Sequence, residues 1–161
     1  PVKDNPLRAA GRFDADLVVF FAEPAAPQAA TEQVTRTSGA SGFKSRESTQ
    51  RSLHVRMPAN QPVLAVLYPV LRDEASPKIT RLAGGRGVRI ESAQGTDYAF
   101  LALEPFEFEG DGVAFEGRAG VVQVREEGVR ISLPRRGKLR RGEHALENAS
   151  DAEAVSHRYE Q

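Results

Sequence analysis

The chain has no cysteine and no tryptophan, and its only methionine is Met57. The lack of cysteine excludes disulfides, thiolate nucleophiles and zinc–thiolate centres together. There is no surplus of charge either: 22 lysines and arginines balance 22 aspartates and glutamates. That balance argues against a dedicated nucleic-acid binder, whose phosphate contacts demand a basic excess. Long apolar runs are absent too. The two longest, residues 17–22 and 62–71, fall far short of the roughly 20 residues of a membrane-spanning helix, so no membrane partner is expected. The first residues show no charged-then-apolar signal pattern. Because the chain opens Pro1-Val2-Lys3 without an initiator methionine, it reads as a piece of a larger protein, with any export signal upstream. No Gly-x-Ser-x-Gly elbow occurs, since Gly39-Ala40-Ser41-Gly42 has the wrong spacing.

What is present is a succession of short apolar or alternating segments punctuated by glycine and proline. A length of 161 residues suits one domain with a real core. Residues 17–22 (Leu-Val-Val-Phe-Phe-Ala) form a continuous β-branched and aromatic run, the mark of a strand buried on both faces. Residues 31–36 alternate weakly, and residues 37–48 form the most loop-like internal stretch. In residues 50–57, Leu53, Val55 and Met57 share one face, with Ser52, His54 and Arg56 on the other. Residues 63–71 return as an apolar strand, so residues 52–71 predict a hairpin whose second strand is buried; Pro69 marks that end as a sheet edge. Further strands are expected at 78–82, 88–93, 98–103, 113–116, 120–126 and 129–133, with a last hairpin over 137–140 and 143–146. This spacing predicts an all-β antiparallel sandwich of roughly ten to twelve strands. Residues 1–16 read as a lead-in, 17–147 as the β-sandwich domain, and 148–161 as a polar tail, frayed or briefly helical.

The chemistry-bearing residues are sparse. His54, His144 and His157 are the three histidines, and nothing in the sequence aligns one with a serine and an aspartate as a triad requires. The acidic stretch Glu104, Glu107, Glu109, Asp111 and Glu116 offers hard oxygen donors, yet lacks the spacing of a calcium loop. Phe106, Phe108, Val113 and Phe115 alternate with those acids, the pattern of an amphipathic edge hairpin. No metal site and no cofactor is expected. His54 and Arg56 on one strand face are candidates to receive an anionic ligand, because both donate to carboxylates; a solvated strand face is the plainer reading. Arg135, Arg136, Lys138, Arg140 and Arg141 place five positive charges in seven residues. They are candidates for binding a polyanion such as an acidic polysaccharide, since the arginine fork donates two parallel hydrogen bonds to a carboxylate or sulfate. The alternative is edge-strand protection by charge.

Four segments in order carry a resemblance. They are Pro62-Val63-Leu64-Ala65-Val66-Leu67-Tyr68-Pro69, Gly85-Arg86-Gly87-Val88-Arg89-Ile90, Thr96-Asp97-Tyr98-Ala99-Phe100-Leu101 and Phe115-Glu116-Gly117-Arg118-Ala119-Gly120-Val121-Val122. Over residues 16–146 the chain resembles the C-terminal β-sandwich region of heparinase II/III-like polysaccharide lyases. The resemblance implies a parent chain with an N-terminal α/α-toroid, exported to the periplasm or secreted. It implies β-elimination on a uronate-containing polysaccharide, a glycosaminoglycan or alginate. In that chemistry a base removes the proton α to the carboxylate, an acid (often a tyrosine) protonates the leaving oxygen, and a third group neutralises the carboxylate. No position here matches the family's catalytic Asn, Tyr or His motifs or its zinc ligands, so none is carried over. The implied role is a structural or cleft-wall fragment, inactive alone. A non-catalytic carbohydrate-binding or adhesion module is the alternative, weakened by the missing tryptophan. A stand-alone enzyme built on an unrecognised site stands last.

Overall fold

The computed structural model describes residues 5–11, 14–38, 46–57 and 62–160. Those residues form thirteen strands and one short 3-10 turn, so the all-β expectation holds. The second half of the chain builds the main sheet. Its leading strands are β6 (Lys78–Leu82) and β7 (Gly87–Ser92). The long β8 (Gly95–Gly110) and β9 (Val113–Arg125) follow. Next come β10 (Gly128–Leu133), β11 (Gly137–Arg141), β12 (His144–Asn148) and β13 (Val155–Glu160).

The register shows how these pieces combine. β10 pairs with the C-terminal half of β9 and β11 with its N-terminal half, so the two lie end to end along one long strand. β13 and β12 repeat the arrangement on β10 and β11. All four runs break at one level. In β8 the register shifts between Leu101 and Phe106, and the other breaks fall at Arg118 and at residues 134–136 and 149–154. The meander therefore bends and folds back over itself. One layer supplies Tyr98, Phe100, Val122, Val129, Ile131 and Leu133 to the core between the halves, and the other supplies Phe106, Val113, Phe115 and Leu139. Phe100 and Phe115, from opposite layers, stack with centroids 4.6 Å apart.

A smaller sheet of β1 (Leu7–Ala9), β2 (Ala15–Glu23) and β5 (Leu64–Leu71), in the order β1-β2-β5, covers the back of the first layer. Phe20 and Ala22 pack there with Val88 and Ile90, flanked by Val66, Tyr68, Ile79 and Ala99. Residues 18–22 are all buried, as the unbroken apolar run predicts. A knot of polar groups ties the far end of this sheet. The Asp16 carboxylate accepts from Arg8 Nε at 2.9 Å and from the Gly11 N–H at 3.1 Å, and Arg72 Nε lies 3.7 Å away.

Several expectations need correction. The predicted hairpin over residues 52–71 does not form: β4 (Arg46–Arg56) pairs with β3 (Gln28–Ser38), and β5 pairs with β2. The physical reason is like with like. The apolar β5 has an apolar partner in β2, while β4 shares its polar composition with β3. Pro69 does lie on an edge strand, but β5 is not buried throughout, with Leu67 65% and Leu71 50% exposed. The lead-in contains β1, and the polar tail contains β13 in place of a frayed or helical end. The two strands expected over 113–116 and 120–126 are one, Val113–Arg125, with a bend. Of the loop expected over 37–48, residues 39–45 lie outside the described residues, and the flanks extend β3 and β4. The edge hairpin expected around the acidic stretch is half right. β7 pairs only with residues 95–100 of β8, so among the described residues 106–110 have β9 alone beside them.

Candidate functional site

Three places collect chemistry-bearing side chains. The first is the base of the β3–β4 arm, an antiparallel ribbon of eleven residues a side with no third strand among the described residues. The register opposes Gln28 to Arg56, Ala30 to His54 and Glu32 to Ser52, and strand alternation gathers all six on one face. The other face carries Ala29 against Val55 and Thr31 against Leu53, and Ala29 is buried. His54 and Arg56 thus share a polar face, as the alternation predicts. The His54 Nε2 lies 3.3 Å from Glu32 Oε2, so the imidazole already has a carboxylate partner. No ion-pair partner faces Arg56 among the described residues. An open groove of about 760 Å³ runs along this base, lined by Pro27, Gln28, Ala30, Glu32, His54 and Arg56.

The second place is the basic run. Contiguous in sequence, it is divided in space. Arg135 and Arg136 fall in the break between β10 and β11, where Arg135 donates to the Asp151 carbonyl and Arg136 Nε lies 3.5 Å from the Asp151 carboxylate. Lys138 and Arg140 share the outer face of β11, 3.6 Å from Glu116 and 3.8 Å from Glu109 respectively. They line an open depression of about 700 Å³ with Glu107, Glu109, Glu116 and Glu147. Arg141, one position on, falls on the inner face, where it donates to the Asp111 carbonyl and lies 5.5 Å over the Tyr98 ring. Each of the five has an acceptor or ring partner. The structure brings only Lys138 and Arg140 together, among four carboxylates, which dilutes the local positive field.

The third place, which sequence reading misses, is the mouth where the two folded layers meet. Arg89 Nη1 lies 2.7 Å from Asp111 Oδ2 and its Nη2 lies 3.2 Å from Glu91. Burial opposes the charge on Arg89, but Asp111 and Glu91 outweigh it and hold the guanidinium above the ordinary arginine value. Nearby, the rings of His144 and His157 each lie 4.5 Å from that of Tyr159. The Tyr159 hydroxyl donates to the Ala145 carbonyl across the layers, and Tyr98 is buried. Two histidines, two tyrosines and two arginines line this mouth; the arginines bond to Asp111 and Glu91, Tyr159 bonds to the Ala145 carbonyl, and the remaining contacts are ring against ring or cation over ring. The arrangement is a clasp that closes the mouth with ion pairs and a cross-layer hydrogen bond. No local pattern announces it, because only the bend brings its members together.

Among the described residues, no three acidic or histidine side chains converge as metal ligands. Nor is any helix there long and apolar enough to cross a membrane. No family model matches the chain, and comparison with curated proteins and with solved structures likewise found no match.

Proposed function

We propose that this chain is the non-catalytic β-sandwich part of a heparinase II/III-like polysaccharide lyase, exported with its parent protein, serving as buttress and cleft wall to a separate catalytic domain. The ordered segments quoted above suggest the family. The observation that carries the role is the outer face of the small sheet. Leu7, Leu17, Leu67, Pro69 and Leu71 stand there in register beside Val19 and Phe21, which are already buried. Leu67 and Leu71 are large and exposed, as on a surface made to pack against another domain. The tyrosines and His54 support a non-catalytic role, because Tyr98 is buried, Tyr159 donates its proton to a carbonyl and His54 is paired with Glu32.

The test is to read the coding sequence upstream of Pro1 and to assay the protein it encodes on uronate polysaccharides, following the ultraviolet absorbance of the unsaturated uronate. A helical domain upstream, with turnover by the whole protein and none by this chain alone, is the expected result. Turnover by this chain alone would overturn the reading. So would salt-insensitive binding of neutral glycans, which would make the chain a carbohydrate-binding module.

A further inference from the structure

We infer that the groove between the start of β5 and the bend of β8 binds a small aliphatic carboxylic acid, with its hydrocarbon body on the apolar wall of the groove and its carboxylate on Arg86. The inference goes beyond the proposed lyase parentage and does not rest on it. The groove holds about 380 Å³ and is walled by Val63, Leu64, Leu101, Ala102, Leu103 and Pro105, with Glu23, Arg86 and Glu104 as its charged groups. That volume is at the small end of ligand clefts, which run from roughly 300 to 1,000 Å³. It suits a small molecule better than a polymer. The strand period explains the wall. Ala99, Leu101 and Leu103 follow at every second position of β8, and Ala99 packs into the core under the small sheet. Leu101 and Leu103 run past that cover and are 53% and 75% exposed. Val63, just ahead of β5, lines the same groove and is 52% exposed. Large apolar side chains scattered singly over a surface need no explanation, but three gathered in one cleft mark a binding surface.

The charges at the groove select the head group. Glu23 is hydrogen-bonded to Arg81. Glu104 Oε2 lies 3.6 Å from Arg118 Nη2, and its side chain is 85% exposed, so water screens it from the groove. Arg86 is the charged group of the groove with no ion-pair partner among the described residues. Its Nε donates to the Ala83 carbonyl at 3.1 Å, and its Cζ lies 4.5 Å from the centroid of the Phe106 ring. The hydrogen bond and the ring hold the guanidinium in place. Its two Nη nitrogens have no acceptor among the described residues and form a fork for a carboxylate. Arg81, Arg86 and Arg118 against Glu23 and Glu104 leave one positive charge at the groove. The Leu101 N–H donates to the Arg86 carbonyl at 2.9 Å, which ties the cation to the apolar wall.

Other ligands fit this groove less well. No aromatic side chain among the described residues lines it, which favours an aliphatic body over a ring that needs a stacking partner. An amine head group would meet the Arg86 cation while both glutamates are engaged with other arginines. A neutral alcohol would leave the guanidinium without a counter-charge.

The experiment is a titration of the whole chain with octanoate, followed by the backbone amide shifts in nuclear magnetic resonance, with octylamine, octanol and a short peptide ending in leucine as comparisons. Saturable shifts centred on Val63, Leu101 and Leu103 are expected. R86Q should weaken octanoate binding about 10-fold, as the loss of one charge-assisted pair requires. L103S should weaken it by about as much through lost apolar contact. V155S removes an exposed apolar side chain on another strand and should bind as the parent does. If R86Q fails to fold by circular dichroism, L103S keeps the test, since Leu103 is too exposed to hold the core. Unchanged affinity in either folded variant, or no saturable shift at the groove in the parent, overturns the inference. Octylamine or octanol binding as tightly as octanoate overturns the choice of head group. Tighter binding of the peptide than of octanoate overturns the choice of a small molecule.

Discussion

Asp16 and Asn148 are polar residues buried among strands and tied there by side-chain hydrogen bonds. Asp16 receives hydrogen bonds from the Gly11 N–H and from Arg8, with Arg72 adding its field, and together these hold its carboxyl below the usual carboxylate range against the opposing effect of burial. A depressed folded-state value means that its stabilisation is complete above the unfolded value, about 3.9, and is lost as pH falls through the folded one. D16N should therefore lower stability at neutral pH and flatten the acid limb, which thermal melts at stepped pH would read; an acid limb as steep as the parent's would refute this. Asn148 donates to the Leu133 and Glu153 carbonyls at 3.0 and 2.8 Å and accepts from the Ser150 N–H at 2.8 Å. N148A leaves these partners behind and is expected to cost about 2–3 kcal/mol in urea unfolding. The sequence reading singles out neither residue, because what ties them, Arg8 to Asp16 and the Leu133 carbonyl to Asn148, depends on which strands come to lie beside each other. His54 is the reverse case, its face legible from alternation alone but its Glu32 partner set by a pairing that alternation does not reveal.

Among elements, the bent pair β8–β9 carries the core. Phe100 is flanked in register by Gly87 and Gly120. A Cβ at Gly87 would come within 2.7 Å of the Phe100 ring, and one at Gly120 within 2.9 Å of the Phe115 ring. The glycines thus admit the two stacked rings. F115A should destabilise by about 3–5 kcal/mol. G120A is expected to cost about 1–3 kcal/mol through overpacking. Denaturant unfolding of both variants decides the matter, and a neutral G120A would show that the rings can shift. The alternation of Phe106, Phe108 and Phe115 with acids was open to sequence reading, since it depends on period alone. The partner of β4 was not, because turn signals favoured the next strand while composition favoured the previous one. β13 was missed because its residues are largely exposed and polar, and only pairing with β10 makes it a strand.

For the whole molecule, neutrality conceals a division. The most basic stretch of sequence is split by strand alternation and by the bend into an outer pair, an inner arginine and a turn, each with partners. The strands of the β3–β4 arm, less basic by count, hold four arginines against two glutamates. Raising ionic strength is expected to leave the melting temperature nearly unchanged, since the surface pairs of Lys138 and Arg140 are exposed and of little worth. A large salt-induced loss of stability would contradict this. The all-β class and the strand count were readable from spacing. The folding of one meander over itself was not, because it depends on four chain breaks coming into line.

From β6 onward each long run pairs with the run that follows it in sequence, up to β12 and β13. Contacts between sequence neighbours ask little of loop closure, so this half can zip up hairpin by hairpin. The small sheet cannot, because β2 must wait for β5 across the whole arm. Refolding should accordingly show the aromatic core protected from hydrogen exchange before β2 and β5 are, with the arm's length setting the speed of the last step.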